Sequence, residues 1–121
     1  MFGFGKKVEI KRLNIDEAHE KFKNNPHQIV LLCVDEVKDY DSSHLSGAEC
    51  LPLRLMDKME EYYPDKELTY YVYAINKALS EKAYKKLIKQ GYDVYDLGTS
   101  LEFRGLTEGR DVTRQRGKRR K

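Results

Sequence analysis

Two cysteines are all that the 121 residues carry, and no CxxC spacing joins them. Cys33 and Cys50 sit in apolar, strand-like segments, so they are expected as buried free thiols rather than as a structural disulfide. Histidine is almost as scarce. His19, His27 and His44 are dispersed, none at a metal-ligand spacing from either cysteine, so neither a metal nor a cofactor is expected. The longest apolar run, Ile29-Val30-Leu31-Leu32-Cys33-Val34, falls far short of the roughly 20 residues that a membrane-spanning helix needs. The start, Met1-Phe2-Gly3-Phe4-Gly5-Lys6-Lys7, has no apolar stretch behind its charges, which argues against a signal peptide. The expectation is a soluble, cytoplasmic protein without a transmembrane segment.

A chain of this length makes one domain and buries roughly two thirds of the surface it exposes when unfolded, so no disulfide or metal is required to hold it together. Its net charge of +3 is unevenly placed. Residues 110 to 121 carry seven of the 23 bases and one of the 20 acids, which leaves 16 bases and 19 acids on the body. Basicity is a property of the tail alone. The segment around Arg114, Arg116, Lys118, Arg119, Arg120 and Lys121 has no apolar face at either helical or strand period and is expected to be disordered. Such a tail suits RNA, DNA or an anionic surface through counterion release, or simply keeps the chain soluble.

Apolar runs alternate with helical patterns along the body. Val8-Glu9-Ile10 reads as a short strand. A helix capped by Asn14 or Asp16 follows to about Lys23, with Ile15, Ala18 and Phe22 on one face. Ile29 to Val34 is continuous rather than alternating, as in a parallel strand covered on both faces. A charged segment from Glu36 to Asp41 leads to a turn at Ser42 to Gly47. A short strand at Ala48 to Leu51 stops at Pro52, and Leu53, Met56 and Met59 mark a helix ending near Tyr63-Pro64. Leu68 to Tyr73 is the next strand, then a helix runs to Gln90 with Gly91 as its C′ residue. Val94 to Leu97 closes the series, with a helical turn at Leu101 to Phe103. The pitch implies an α/β domain with a mostly parallel, five-stranded sheet flanked by helices on both faces.

The most informative stretch joins the fourth of these strands to its helix: Ala74-Ile75-Asn76-Lys77-Ala78-Leu79-Ser80. The C-terminal end of a parallel strand meeting a helix N-terminus is a favoured place for anions and chemistry. Yet the loop holds no Cys, His, Asp or Arg, and no Ser nucleophile at its mouth.

The succession of these segments resembles a rhodanese-like domain, over about residues 8 to 105. The resemblance is carried by Cys33-Val34-Asp35-Glu36-Val37-Lys38-Asp39-Tyr40, where that family has a strand and an acidic segment ending in Tyr. Ser43-His44-Leu45-Ser46-Gly47-Ala48 stands for its G-H-I-P-G-A turn, followed by Leu51-Pro52. Ala74 then lies where the family's loop, roughly C-R-x-G-x-R-S, has its cysteine, and Ser80, Ala83, Leu87, Gly91 and Tyr92 fall in register without a gap. On this basis residues 1 to 7 form a lead, 8 to 105 the domain and 106 to 121 the tail.

The resemblance implies sulfur transfer through a cysteine persulfide. That chemistry needs a thiol of lowered pKa, converging backbone N–H groups and basic side chains around an anionic donor. In this chain Ala74 has no sulfur, Ile75 and Leu79 stand at the two loop arginines, and Lys77 stands at the glycine. Ser80 stands at the later arginine of a phosphatase relative. Cys33 and Asp35 replace a usual Asp and a usual Arg. The expectation is a catalytically inactive domain that binds a protein partner or regulates, with Ile75, Asn76, Lys77 and Leu79 as binding candidates, their apolar members either exposed or folded over the vacated pocket. A nucleic-acid-associated protein anchored by its tail, and a sulfurtransferase using Cys33, are the alternatives. His44, Asp35 and Glu36 are expected to serve turn and cap geometry, and Tyr70, Tyr71 and Tyr73 to pack with their hydroxyls at the edge.

Overall fold

The computed structural model describes residues 9–111. Helix α1 (Ile15–Asn24) begins where the Asn14 side chain accepts from the amides of Asp16 and Glu17, which satisfies two of the N–H groups that a helix start leaves unpaired. Strand β1 (Ile29–Cys33) follows, then helix α2 (Val37–Ser42), strand β2 (His44–Leu45) and strand β3 (Glu49–Cys50). A 3₁₀ turn at Leu53–Lys58 runs into helix α3 (Met59–Tyr62). Strand β4 (Thr69–Ala74), helix α4 (Lys77–Lys89) and strand β5 (Asp93–Thr99) form the second half. A 3₁₀ turn at Ser100–Glu102 and strand β6 (Thr107–Glu108) complete the described chain. Helix α4 stops at Gly91, whose φ of 91° lets the amides of Gly91 and Tyr92 reach back to Ile88 and Leu87 at 3.1 Å each.

The main sheet runs β3-β1-β4-β5 and is parallel throughout. A fifth edge position is added by the segment around Arg12, bridged to Asp96, with the Leu13 amide on the Asp96 carbonyl and the Asp96 amide on the Lys11 carbonyl. Strand period sorts the two cores. Leu32, Val34, Tyr70, Val72, Ala74 and Val94 face Met56, Met59, Ala83, Tyr84 and Leu87. Leu31, Cys33, Tyr71, Tyr73 and Leu97 face Ile15, Ala18, Leu45 and Ala48. Covered on both sides, β1 and β4 have no need of polar alternation, and that is why they read as unbroken apolar runs.

Several elements depart from expectation. The edge pairing falls at 11–13 rather than at 8–10, because the hydrogen bonds to Asp96 fix its register. The charged segment Glu36 to Asp41 is helical, its short turn closed by the Asp39 and Tyr40 amides on the Glu36 carbonyl. Within the segment expected as tail from 106, Thr107 and Glu108 pair antiparallel with Leu45 and His44 as β6 against β2. Glu108 also accepts from Ser46 Oγ at 3.0 Å and from the Gly47 amide at 3.3 Å. The Tyr73 hydroxyl is buried rather than at the edge, accepting from the Leu45 amide at 3.0 Å.

Asp96 ties β5 to α4 and to the 11–13 edge. Its buried carboxylate accepts from Ser80 Oγ, from the Gly98 amide at 2.8 Å and from Arg12 Nη1 at 2.9 Å. Asp96→Ala strands two buried donors, each at about 1–3 kcal/mol, whereas Ser80→Ala removes one donor of three. Denaturant unfolding is expected to rank Asp96→Ala well below Ser80→Ala in stability; equal stabilities would deny the carboxylate this role.

Candidate functional site

The junction between β4 and α4 sits at the C-terminal end of the sheet, between the ends of β1 and β5. Ala74 pairs with Thr99 in the ladder and is fully buried in the core beneath α4. The Ile75 amide donates to both oxygens of Asp35, at 3.1 and 3.0 Å, and its carbonyl accepts from Thr99 Oγ1 at 2.6 Å. Asn76 caps the helix from within the loop. Its side-chain oxygen accepts from the Ala78 amide at 2.7 Å, and its carbonyl takes the Leu79 and Ser80 amides at 3.1 and 3.3 Å. The donors of Ile75, Ala78, Leu79 and Ser80 are therefore all satisfied by the protein's own oxygens. That leaves little of the converging N–H cradle that makes a helix start attractive to an anion.

Charge points the same way. Asp35 is buried directly beneath the loop's first amide. Burial pushes its carboxyl above the usual carboxylate range, while hydrogen bonds from the Ile75 amide and the Cys33 thiol pull it back. Lys77 is exposed at the start of α4 and lines a small cavity with Arg12, Asp96 and Glu102. Ser80 is buried and committed to Asp96, so it is not at the mouth.

Of the expected loop residues, Ile75 points outward at 44% exposure, whereas Leu79 is half-buried against the core beneath α4. Each lines a different depression. One, of about 270 Å³, is walled by Asp39, His44, Leu45, Ile75, Leu101 and Thr107. The other, of about 420 Å³, has Val34, Leu53 and Leu79 inside, and at its rim the ion pairs Glu36–Arg54 and Asp57–Lys86, both at 3.1 Å. The basic residues Arg114, Arg116, Lys118, Arg119, Arg120 and Lys121 lie outside the described residues.

Cys33 is free and buried, its thiol donating to Asp35 Oδ2 at 3.4 Å. Contact with Cys50 and burial push that thiol far above the usual range, the reverse of what a nucleophile that meets an external donor needs. Cys50 is also free but only half-buried, contrary to the expectation of a buried thiol. Sequence reasoning missed the role of Asp35, which was expected in a turn but instead bonds to a loop 40 residues away. Glu36 stands at the N-cap of α2 without a side-chain cap and pairs with Arg54 instead. His44 does hold its turn, stacking on Tyr40 at 3.8 Å with Nδ1 2.7 Å from the Tyr40 carbonyl. Among the described residues no group of His, Cys, Asp and Glu is arranged to hold a metal, and no helix is long and apolar enough to cross a membrane.

No sequence-family model and no curated protein matches the chain. Solved structures do. The rhodanese-like domain of an Anabaena sp. protein superposes with a TM-score of 0.74 at 22% identity, over 88% of this chain and 84% of that one. A rhodanese-like domain protein from Staphylococcus aureus gives 0.69 at 17%, over 84% and 99%. An E. coli rhodanese solved with anions gives 0.61 at 24%, over 68% and 99%. At such identities the likeness speaks to architecture alone: the chain has the rhodanese-like fold, a central parallel sheet with helices on both faces.

Proposed function

We propose that the chain is a catalytically inactive rhodanese-like domain that serves as a protein-binding or regulatory module, with the docking surface at the C-terminal end of the sheet around residues 74–80. The observation that carries this reading is the inward satisfaction of the loop. Where sulfur transfer would need a thiolate, open amides and cations, Ala74 offers a methyl group, Ile75 gives its amide to Asp35, and Asn76 takes the amides of Ala78, Leu79 and Ser80. A carboxylate in that position repels a thiosulfate-like donor rather than holding it.

The same end of the molecule is apolar toward solvent. Among the described residues the large apolar side chains that stand exposed are Val37, Tyr62, Ile75, Leu101 and Leu106. All but Tyr62 follow the ends of β1, β4 and β5. Ile75 and Leu101 line one depression together, with Asp39 and His44 beside them. An apolar centre with a polar rim is the make-up of a protein-binding patch, in which one or two buried anchors carry most of the affinity.

Two outcomes follow. After incubation with thiosulfate and removal of excess donor, intact-protein mass spectrometry is expected to show no reducible gain of one sulfur atom, in the natural chain or in Ala74→Cys. In that variant the introduced thiol would be buried, with Asp35 near it and arginine at neither Ile75 nor Leu79, so it stays protonated. A stable sulfur adduct in Ala74→Cys would show the backbone cradle to be sufficient and overturn the account of the loop. For the docking surface, Ile75→Asp with Leu101→Asp should leave thermal unfolding within a few degrees of the natural chain yet abolish retention of whatever protein the natural chain retains. Undiminished retention would move the surface elsewhere.

A further inference from the structure

Cys33 and Cys50 are far apart in the sequence but are register partners across the parallel pair β1–β3. Neighbouring strands run about 4.7–4.9 Å apart, inside the roughly 4.4–6.8 Å between α-carbons that a disulfide spans, and partners in register project from one face of the sheet. Asp35 binds both sulfurs. Cys33 Sγ donates to its Oδ2 at 3.4 Å, and Cys50 Sγ donates to its backbone carbonyl at 3.5 Å. We propose that Cys33 and Cys50 form a dithiol site that reacts with low-molecular-weight disulfides and closes to an intramolecular disulfide between β1 and β3. The inference does not rest on what docks at residues 74–80, although Asp35 serves both the thiols and the loop.

The two thiols are placed for different roles. Cys50 is half-buried and reachable from solvent, whereas Cys33 is buried behind it. Cys50 is the thiol that an external disulfide can reach, so Cys50 supplies the entering thiolate. Its sulfur attacks one sulfur of a disulfide such as oxidised glutathione. The S–S bond breaks, and a glutathione thiolate leaves and takes a proton from water. Cys33 then gives its proton to the Asp35 carboxylate that already accepts from it, and its sulfur attacks the Cys50 sulfur. The mixed disulfide breaks and the second glutathione thiolate leaves, again taking up a proton, while Asp35 returns its own to solvent. Two protein thiols are oxidised and one glutathione disulfide is reduced to two thiols. Burial raises the carboxyl of Asp35, which suits it to accept a proton from a thiol better than an ordinary surface aspartate would.

The test uses the full chain in glutathione buffers of increasing oxidised fraction, quenched in acid, alkylated under denaturing conditions and weighed intact. The expected product is a monomer two hydrogens lighter that takes up no alkylating agent, and that regains both reactive thiols after reduction. Cys33→Ser is expected to stop with one glutathione attached at Cys50, and Cys50→Ser to take up none at Cys33. The proposal is overturned if the natural chain alkylates at both cysteines throughout, stops at the mixed disulfide, or forms a covalent dimer. A glutathione adduct on Cys33 in Cys50→Ser would overturn the assignment of Cys50 as the entering thiol. The readout on the natural chain stands without either variant.

Discussion

Asp35 needs donors, because a carboxylate withdrawn from water costs several kcal/mol unless hydrogen bonds replace its hydration. It finds them in the Ile75 amide and the Cys33 thiol, and that need shapes this end of the molecule. The end of β1 is fastened to the end of β4, and the first amide of the loop is turned inward. Asp96 repeats the arrangement on β5, across β4 from Asp35, with Ser80, Gly98 and Arg12 as its donors. Between the two carboxylates, the β4–α4 loop is held by the protein's own oxygens. A parallel sheet normally offers its C-terminal end to ligands; here the amides of Ile75, Ala78, Leu79 and Ser80 at that end are taken by the protein's own oxygens.

What remains open is the surface. Ile75 stands outward and lines one depression with Leu101, the apolar centre of the docking surface we propose. Leu79, half-buried, belongs to the neighbouring cleft, whose rim is set by Glu36–Arg54 and Asp57–Lys86. Those exposed ion pairs contribute little to stability. Their value lies in making the rim polar around Val34, Leu53 and Leu79.

The architecture was legible in the chain because burial on both faces writes itself as an apolar run, as in Ile29 to Val34 and Leu68 to Tyr73, and because Asn14 and Gly91 mark helix ends by their chemistry. The short elements were not. Helix α2 is one closed turn of a charged segment, and β2 and β6 are two residues each, too short to show a period. The site was half legible. Missing side chains could be read from the loop itself, but the partners of its backbone could not, since Asp35 and Cys50 reach their contacts through the sheet's register rather than through nearby sequence. Cys33 and Cys50 look unrelated in the sequence for the same reason.

Four amides of the β4–α4 loop are occupied by internal oxygens, and backbone resonances report that directly. The measurement is a titration of the isotope-labelled chain with thiosulfate, following the amide signals of Ile75, Ala78, Leu79 and Ser80 at constant ionic strength. Internal satisfaction by Asp35 and Asn76 predicts that these four signals move no more than amides elsewhere, and without saturation. Saturable shifts concentrated on them would mean that the loop opens to an anion, and would contradict the reading of this end of the sheet as closed.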